Sequence, residues 1–260
     1  MTKFKNNQPI GIFDSGLGGL TVLKQIARML PHEDLIYLGD NARVPYGNRS
    51  KETVIKFSFE NASFLLKNKV KCIVIACNTS SALAGNELES KLNVPVFDVI
   101  KPALKEARKI SKSGKIGVIG TRGTIGSGAY DVPFFKACPL FVPFIEEGEA
   151  DSPALRIVAN NYLSELRRDK IDTLIMGCTH YPIIKDTIER VVDNNVTLVD
   201  PGMSVARELK SYLQDNSLMN EKRGPGKRKY YVTDYTDRFV KVAEMFLGHK
   251  IEDSLEKATL

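Results

Sequence analysis

The sequence lacks any long hydrophobic run. No stretch of its 260 residues approaches the roughly 20 consecutive apolar residues that a membrane-spanning helix requires. The opening residues, MTKFKNNQPI, contain no apolar core of the kind that a signal peptide has. We therefore expect no membrane segment and a cytoplasmic location.

Cysteine is scarce and irregularly spaced. The chain has four cysteines, none of them in a C-x-x-C pair, whereas disulfide frameworks and zinc sites need regular spacing. No other spacing of metal-ligating side chains appears, and no lysine is recognisable as the attachment site of pyridoxal phosphate. We therefore expect reduced thiols, no metal and no cofactor.

The chain has no concentrated basic region, although it is basic overall. The net charge of +6 arises from 37 basic residues that are mixed with 31 acidic ones. The densest basic run, residues 222–229, contains Gly-Pro-Gly and is typical of a solvated loop. We predict no nucleic-acid partner, and we expect the basic balance to attract a small acidic substrate.

What the sequence does have is an alternation of short β-branched runs with longer amphipathic segments. This alternation is typical of βα units around a parallel sheet, so the predicted fold class is α/β. The predicted strands span residues 10–14, 35–39, 72–76, 94–97, 116–119, 173–176 and 197–199. The predicted helices span residues 20–30, 53–67, 80–92, 102–110, 154–168, 183–192, 203–213 and 237–247.

Two pairs of segments resemble each other across the chain. IGIFDSG at residues 10–16 resembles IGVIGTR at 116–122, and CIVIACNT at 72–79 resembles TLIMGCTH at 173–180, at nearly the same offset. A near-constant offset indicates a duplicated structural unit. The repeat therefore predicts two pseudo-symmetric α/β halves, each with parallel strands flanked by helices.

We predict that these halves are two domains. The first comprises residues 1–99 and 210–260, and the second comprises residues 100–209. Open α/β sheets bind ligands at the carboxyl ends of their strands, so we expect the active site in the cleft between the domains.

Cys77 and Cys178 occupy matching places in the two halves. Each follows a predicted strand and precedes a predicted helix. A helix N-terminus lowers the pKa of a thiol, and its free N–H groups, with the side chains of Asn78 and Thr79, can bind a carboxylate. We predict two reactive thiols facing the cleft. The alternative is that both are small buried core residues.

Polar neighbours strengthen the functional interpretation. His180 lies two residues after Cys178 and could hold or shuttle a proton, or it could simply cap a helix.

Asp14 and Ser15 lead into a glycine-rich turn, but Thr21 occupies the third glycine position of G-x-G-x-x-G, so the dinucleotide fingerprint fails. We predict a small-molecule loop with Asp14 near one thiol, or else a helix cap.

A second loop, Val44-Pro45-Tyr46-Gly47, follows Asp40 at the same predicted edge of the sheet. Loops of this composition bind ligands or only turn the chain, and both interpretations stay open. Cys72 and Cys138 precede no recognisable helix, so we expect them to be packing residues.

Taken together, these segments resemble the bacterial glutamate racemases, within the cofactor-independent aspartate and glutamate racemases. The resemblance runs over nearly the whole chain, in order. Its motifs are GIFDSGLGGLTV (11–22), YLGDNARVPYG (37–47), ACNTSSA (76–82), GVIGT (117–121), ACPLFVPFIEEG (137–148) and GCTHYP (177–182).

The resemblance implies roles for particular residues. Cys77 and Cys178 match the catalytic thiols, and Asp14 and His180 match side chains that assist them. Asp40 and Glu147 match further acidic residues near the site. The implied substrate contacts are Asp14, Ser15, Pro45, Tyr46, Gly47, Cys77, Asn78, Thr79, Cys178, Thr179 and His180.

The resemblance also implies a reaction and a setting. One thiol removes the Cα proton of glutamate and the other returns a proton to the opposite face, with Cys77 as the base for the D-form. The fold is implied to be two α/β domains around the active site, and the assembly a homo-oligomer, most simply a homodimer. The D-glutamate product would supply peptidoglycan synthesis, and through it cell-wall biogenesis and cell shape.

Three other functions remain open from the sequence. A racemase of the same family that acts on aspartate or another amino acid would use the same two-cysteine mechanism. A cysteine-nucleophile hydrolase could use Cys178 with His180, although it would leave the second matched cysteine unexplained. A non-enzymatic binding protein would bind glutamate without exchanging its Cα hydrogen.

Overall fold

The structure is a computed structural model that describes residues 4–193, 195–251 and 254–260. Its strands are β1 (Ile10–Asp14), β2 (Leu35–Gly39), β3 (Cys72–Ile75), β4 (Val96–Asp98), β5 (Ile116–Gly120), β6 (Phe134–Ala137), β7 (Thr173–Gly177), β8 (Thr197–Val199), β9 (Arg228–Val232) and β10 (Leu255–Lys257).

The helices alternate with these strands. They are α1 (Gly19–Met29), α2 (Lys51–Lys67), α3 (Asn78–Lys91), α4 (Ile100–Ile110), α5 (Arg122–Gly126), α6 (Phe141–Glu146), α7 (Pro153–Arg168), α8 (Lys185–Val192), α9 (Pro201–Asp215) and α10 (Asp237–Leu247). Short 3-10 turns lie at Asn41–Arg43, Tyr46–Asn48 and Tyr181–Ile184.

The strands form two parallel sheets. The first has the order β10-β9-β2-β1-β3-β4 and the second the order β6-β5-β7-β8. Every residue of β1, β2, β3, β5 and β7 is buried, because helices cover both faces of a parallel sheet. The predicted fold class, two sheets of parallel strands flanked by helices, is therefore confirmed.

The two sheets repeat one topology. The order β2-β1-β3-β4 in the first sheet corresponds to β6-β5-β7-β8 in the second, which accounts for the repeated segments in the sequence. In each sheet the order reverses between the first and third strands of the repeat. Loops after these strands diverge and leave a crevice, and Cys77, Thr121 and Cys178 lie in such loops.

The structure also contains elements that the sequence pattern did not predict. β6 and β10 are edge strands with exposed residues such as Phe135 and Glu256, and β9 begins with two basic residues. None of them forms the buried apolar run from which strands were predicted. Helices α5 and α6 have only five and six residues, too few for helical periodicity to appear.

The chain beyond α9 returns to the first sheet, where β9 pairs with β2 and β10 pairs with β9. Helix α9 runs without a break through the predicted boundary between residues 209 and 210 and packs against both α1 and α4. The division into residues 1–99 with 210–260 and residues 100–209 stays a prediction.

In the described part of the chain, no helix is both long enough and apolar enough to span a bilayer. All four cysteines are buried free thiols, as predicted. Cys72 and Cys138 are fully buried within the hydrophobic core, which agrees with the packing role expected of them.

Candidate active site

A cavity of roughly 330 Å³ opens where the loops of the two sheets meet. Its walls come from the loops after β1, β2, β3, β5 and β7, together with the segment that leads into and forms α6. Eleven of the thirteen residues that the sequence predicts for the site line it, namely Ser15, Pro45, Tyr46, Gly47, Cys77, Asn78, Thr79, Glu147, Cys178, Thr179 and His180. Asp14 and Asp40 do not.

Cys77 lies at the junction of β3 and α3, where it caps the helix. Its Sγ accepts a hydrogen bond from the Ser80 N–H at 3.5 Å and donates one to the Ser15 hydroxyl at 3.4 Å. Burial and the Asp14 carboxylate raise the pKa of Cys77 to about 11, while contacts with Ser15 and Ser80 lower it. The expectation that the helix N-terminus would lower this pKa is therefore wrong in its net sign, because burial outweighs the helix.

Asp14 ends β1 and is only 1% exposed. Its Oδ2 accepts the Gly16 N–H at 2.9 Å, whereas its Oδ1 has no hydrogen-bond partner among the described residues. Burial raises the pKa of Asp14, and the nearby charge of His180 and backbone N–H groups lower it. The Asp14 carboxylate thus raises the pKa of Cys77 although Asp14 does not line the cavity.

Cys178 directly follows β7 and has different neighbours. Its Sγ lies 3.9 Å from Nδ1 of His180, and Nε2 of His180 lies 2.9 Å from Oε1 of Glu146. Burial alone would lower the pKa of His180, but its contacts with Cys178 and Glu146 raise that pKa to about 10. These contacts favour the protonated form of the imidazole, in which both ring nitrogens are donors.

Glu146 is the site residue that the sequence analysis missed. The resemblance pointed to Glu147, which lines the cavity, but the side chain of Glu147 is 62% exposed and pairs with Arg238 of α10. Helix α6 ends at Glu146 and presents that carboxylate to His180. Two adjacent glutamates give no sequence signal for which one faces inward.

Asp40 does not line the cavity but contacts Tyr46, which does. It is fully buried and accepts hydrogen bonds from the Tyr46 hydroxyl, from Arg43 and from the Thr233 hydroxyl. Tyr46 lines the cavity and packs against Cys77. Asp40 therefore holds Tyr46 in place.

The two halves touch closely beside Cys178. The Thr21 hydroxyl on α1 donates to the carbonyl oxygen of Thr179 at 2.7 Å. A Cβ atom on Gly18 would overlap the Thr179 hydroxyl and the His180 ring, so only glycine fits at this position without displacement. The turn after β1 is thereby fixed against the loop after β7.

A polar contact also links the halves on the Cys77 side. The Thr79 hydroxyl lies 3.0 Å from that of Thr121 and 3.2 Å from that of Thr124, and the Tyr130 hydroxyl donates to Oδ1 of Asn78 at 2.7 Å. Nδ2 of Asn78 is buried and has no partner among the described residues. It is a donor available to a ligand in the cavity.

Within residues 4–193, 195–251 and 254–260, no group of three or more His, Cys, Asp or Glu side chains could hold a metal ion. The cavity is instead lined by two thiols. Cys77 contacts Ser15 and Ser80, and Cys178 contacts His180. Such groups can take up and deliver protons on a small polar molecule between them.

Comparison with known proteins defines the class. Residues 10–209 match the family model described as Asp/Glu/Hydantoin racemase. The chain belongs to this family, and it is accordingly an enzyme of the racemase class, an isomerase.

Its relatives narrow the class. The chain is 46% identical over 254 residues to the glutamate racemase of Geobacter metallireducens, with 94% of each chain covered. A crystal structure of glutamate racemase from Thermus thermophilus, in complex with β-chloro-D-alanine, matches at 43% identity with a TM-score of 0.92. A crystal structure of glutamate racemase from Francisella tularensis, in complex with D-glutamate, matches at 40% identity with a TM-score of 0.90. Each covers 98% of both chains. The resemblance to glutamate racemases inferred from the motifs is confirmed.

Proposed function

We propose that this enzyme interconverts L- and D-glutamate without a cofactor, with Cys77 and Cys178 as its two acid/base thiols. The observation that carries the proposal is their placement. The thiols follow corresponding strands of the repeated topology and line the same cavity. A substrate held between the two halves would meet one sulfur from each.

The choice of glutamate rests on the relatives and on the cavity. The relatives are named glutamate racemases, and one solved relative holds D-glutamate. We propose that the substrate contacts Ser15, Pro45, Tyr46, Gly47, Asn78, Thr79, Thr179 and His180 as well as the thiols. Hydroxyl, amide and backbone N–H donors among these residues suit the two carboxylates of glutamate.

Racemisation needs two groups because the Cα proton must leave one face and a proton must arrive on the other. A single base would have to cross the plane of the substrate. In the proposed reaction, the thiolate of Cys178 removes the proton of L-glutamate, and the electron pair of the C–H bond stays on Cα. The thiol of Cys77 then gives its proton to the opposite face, which forms D-glutamate and leaves Cys77 as the thiolate.

The reverse reaction starts with Cys77 as the base. The thiol of Cys77 has a pKa near 11, which suits the donor role in the forward direction. Nδ1 of His180 lies 3.9 Å from the sulfur of Cys178. We propose that His180 assists Cys178 and that Asp14 assists Cys77. Fixed N–H and hydroxyl dipoles lining the cavity would stabilise the carbanion.

Two alternatives share part of this chemistry. The series Cys178–His180–Glu146 also suits a cysteine nucleophile, but a hydrolase would accumulate an acyl-enzyme on Cys178 and would not need Cys77. A racemase for aspartate would use both thiols yet prefer the shorter acid. Mass spectrometry of the enzyme with substrate, and rates with glutamate and aspartate, separate the three.

We further propose that the enzyme is cytoplasmic, that it forms a homo-oligomer such as a dimer, and that it supplies D-glutamate for peptidoglycan synthesis. The family resemblance supports these points. Sedimentation of the purified protein tests the assembly, and rescue of a D-glutamate-requiring bacterium tests the cellular role.

The direct test is loss of optical inversion in Cys77→Ser and Cys178→Ser, measured by circular dichroism with purified protein treated with a chelator. Cys72→Ala and Cys138→Ala are matched controls, because both thiols are buried outside the cavity. We expect inversion by the wild type and both controls, and roughly a thousandfold or greater loss in each serine variant. Full activity in either serine variant would contradict the two-thiol mechanism.

A further inference from the structure

Ser80 is the third residue of α3 and lies beside Cys77. It is fully buried, and its backbone N–H donates to the Cys77 sulfur at 3.5 Å. In many helices the side chain at this position reaches back to the capping residue. Here the capping residue is the thiol itself.

The Ser80 hydroxyl is unusual because it is unused. It has no properly oriented hydrogen-bond partner among the described residues, although serine in a helix commonly donates to a preceding carbonyl. The adjacent Ser81 is ordinary by comparison, since its hydroxyl donates to the carbonyl oxygen of Ile75 at 3.1 Å. Leaving a buried hydroxyl unpaired destabilises the folded state.

The Ser80 hydroxyl belongs to the residue whose backbone N–H lies 3.5 Å from the sulfur of Cys77. Contacts with Ser80 and Ser15 lower the pKa of the thiol, against the opposing effects of burial and Asp14. A neutral thiol is a weak acceptor, whereas a thiolate accepts several charge-assisted hydrogen bonds. A nearby hydroxyl without another partner can turn to donate when the sulfur becomes negative.

We propose that Ser80 is a positioning residue for the reaction, whose hydroxyl donates to the Cys77 thiolate during turnover and thereby stabilises that form. The inference rests on the proposed function, because it is the proposed mechanism that makes Cys77 a thiolate. In the proposed cycle, Ser80 acts each time Cys77 has given up its proton or is about to remove one.

Other titratable groups near Cys77 also affect its electrostatic environment. Asp14 lies at the end of β1, Tyr37 on β2 is near enough for the charge of Cys77 to raise its pKa, and Tyr46 packs against the thiol. His180 and Cys178 also line the cavity. The Ser80→Ala substitution changes none of these groups, so its effect on the thiol is separable from theirs.

The test is the rate at which iodoacetamide alkylates Cys77 at pH 8, followed on the Cys77 peptide by mass spectrometry. Below the pKa of a thiol, this rate follows the thiolate fraction. We expect Ser80→Ala to slow alkylation of Cys77 by about tenfold to a hundredfold, the range for a hydrogen bond to a charged group. Alkylation of Cys178 in the same sample should not change.

Ser81→Ala is the matched control, because it removes a hydroxyl from the next residue of the same helix without touching the thiol. It should leave alkylation of Cys77 at the wild-type rate. Ser80→Ala should also raise the melting temperature or leave it unchanged, since it removes an unpaired buried hydroxyl. A residue with a merely structural role would give the opposite result on heating.

Activity separates the two proposals. Because the two enantiomers are equal in energy, Ser80→Ala should lower kcat/KM equally in both directions, by a factor similar to the alkylation effect. Slower alkylation in a protein that does not invert glutamate would retain the Ser80 contact and reject the proposed function. Alkylation of Cys77 at the wild-type rate in Ser80→Ala would overturn the inference, whatever the activity.

Discussion

The two cysteines occupy equivalent places in a repeated topology, yet their surroundings differ. Cys77 lies among hydroxyl groups, with Ser15 and Ser80 against its sulfur and the buried Asp14 nearby. Cys178 lies beside an imidazole that is itself bound to Glu146. The backbone repeat therefore places both thiols, while unrelated side chains surround each of them.

In the proposed reaction, this difference would give the two thiols different roles. The thiol of Cys77 has a pKa near 11 and is set to hold its proton. His180, with a pKa near 10, keeps a positive charge next to Cys178. A symmetric reaction, between enantiomers of equal energy, is thus proposed to proceed through two chemically unequal thiols.

The largest expected effect comes from removing one thiol while following both faces of Cα. In D2O, Cys77→Ser should exchange the Cα hydrogen of L-glutamate without inverting it, because Cys178 remains to remove and return it. Cys178→Ser should do the same with D-glutamate only. Proton NMR of each enantiomer measures the exchange, and exchange of the same enantiomer by both variants would break the assignment of faces.

The next effect concerns the close contact beside Cys178. Gly18→Ala should lower activity by about a hundredfold, the loss expected when reacting groups are displaced by about 1 Å, because its Cβ would push against Thr179 and His180. Gly16→Ala is the control, since its Cβ would meet Val44 at an ordinary 3.6 Å. Equal activity of the two variants would contradict the close apposition of the halves.

A smaller effect is expected from the carboxylate on His180. Glu146→Gln should lower the pKa of His180 from about 10 and reduce kcat about tenfold, the loss of a charge-assisted hydrogen bond. NMR titration of the His180 ring measures the pKa. Glu147→Gln should leave both unchanged, because Glu147 is exposed and pairs with Arg238.

The contact between His180 and Glu146 also affects the stability of the folded protein. Contacts with Cys178 and Glu146 raise the pKa of His180 in the folded state above its ordinary value of 6.5, so protonation of His180 favours folding. The contribution is present in full below pH 6.5 and is lost as the pH rises through about 10. The melting temperature of Glu146→Gln should therefore depend less on pH over that interval than that of the wild type.

The smallest expected effect is on the Cys77 side. Ser15→Ala should slow alkylation of Cys77 by about threefold, the size of one ordinary hydrogen bond, because Ser15 lowers the pKa of that thiol. Cys178 in the same protein is the control. An equal change at both cysteines would show that the surroundings of the thiols are not independent.

Much of this arrangement could be predicted from the sequence, for physical reasons. The fully buried strands β1, β3, β5 and β7 produce continuous apolar runs, and Cys77 and Cys178 follow two of them. The edge strands β6 and β10 are partly exposed and lack that signal.

Side-chain direction could not be predicted in the same way. The choice between Glu146 and Glu147 depends on where the short helix α6 ends, and the position of Asp40 behind Tyr46 depends on packing between distant segments. The net pKa of Cys77 depends on burial, which the helix N-terminus alone does not reveal.

The central claim is that two thiols act on opposite faces of Cα, and the isotope content at early times in D2O tests it most directly. Starting from either enantiomer with the wild-type enzyme, we predict that the first product molecules carry deuterium at Cα while the remaining substrate still carries protium. Product that retains substrate-derived protium, together with early deuterium in unreacted substrate, would indicate one base acting on both faces and would contradict the account.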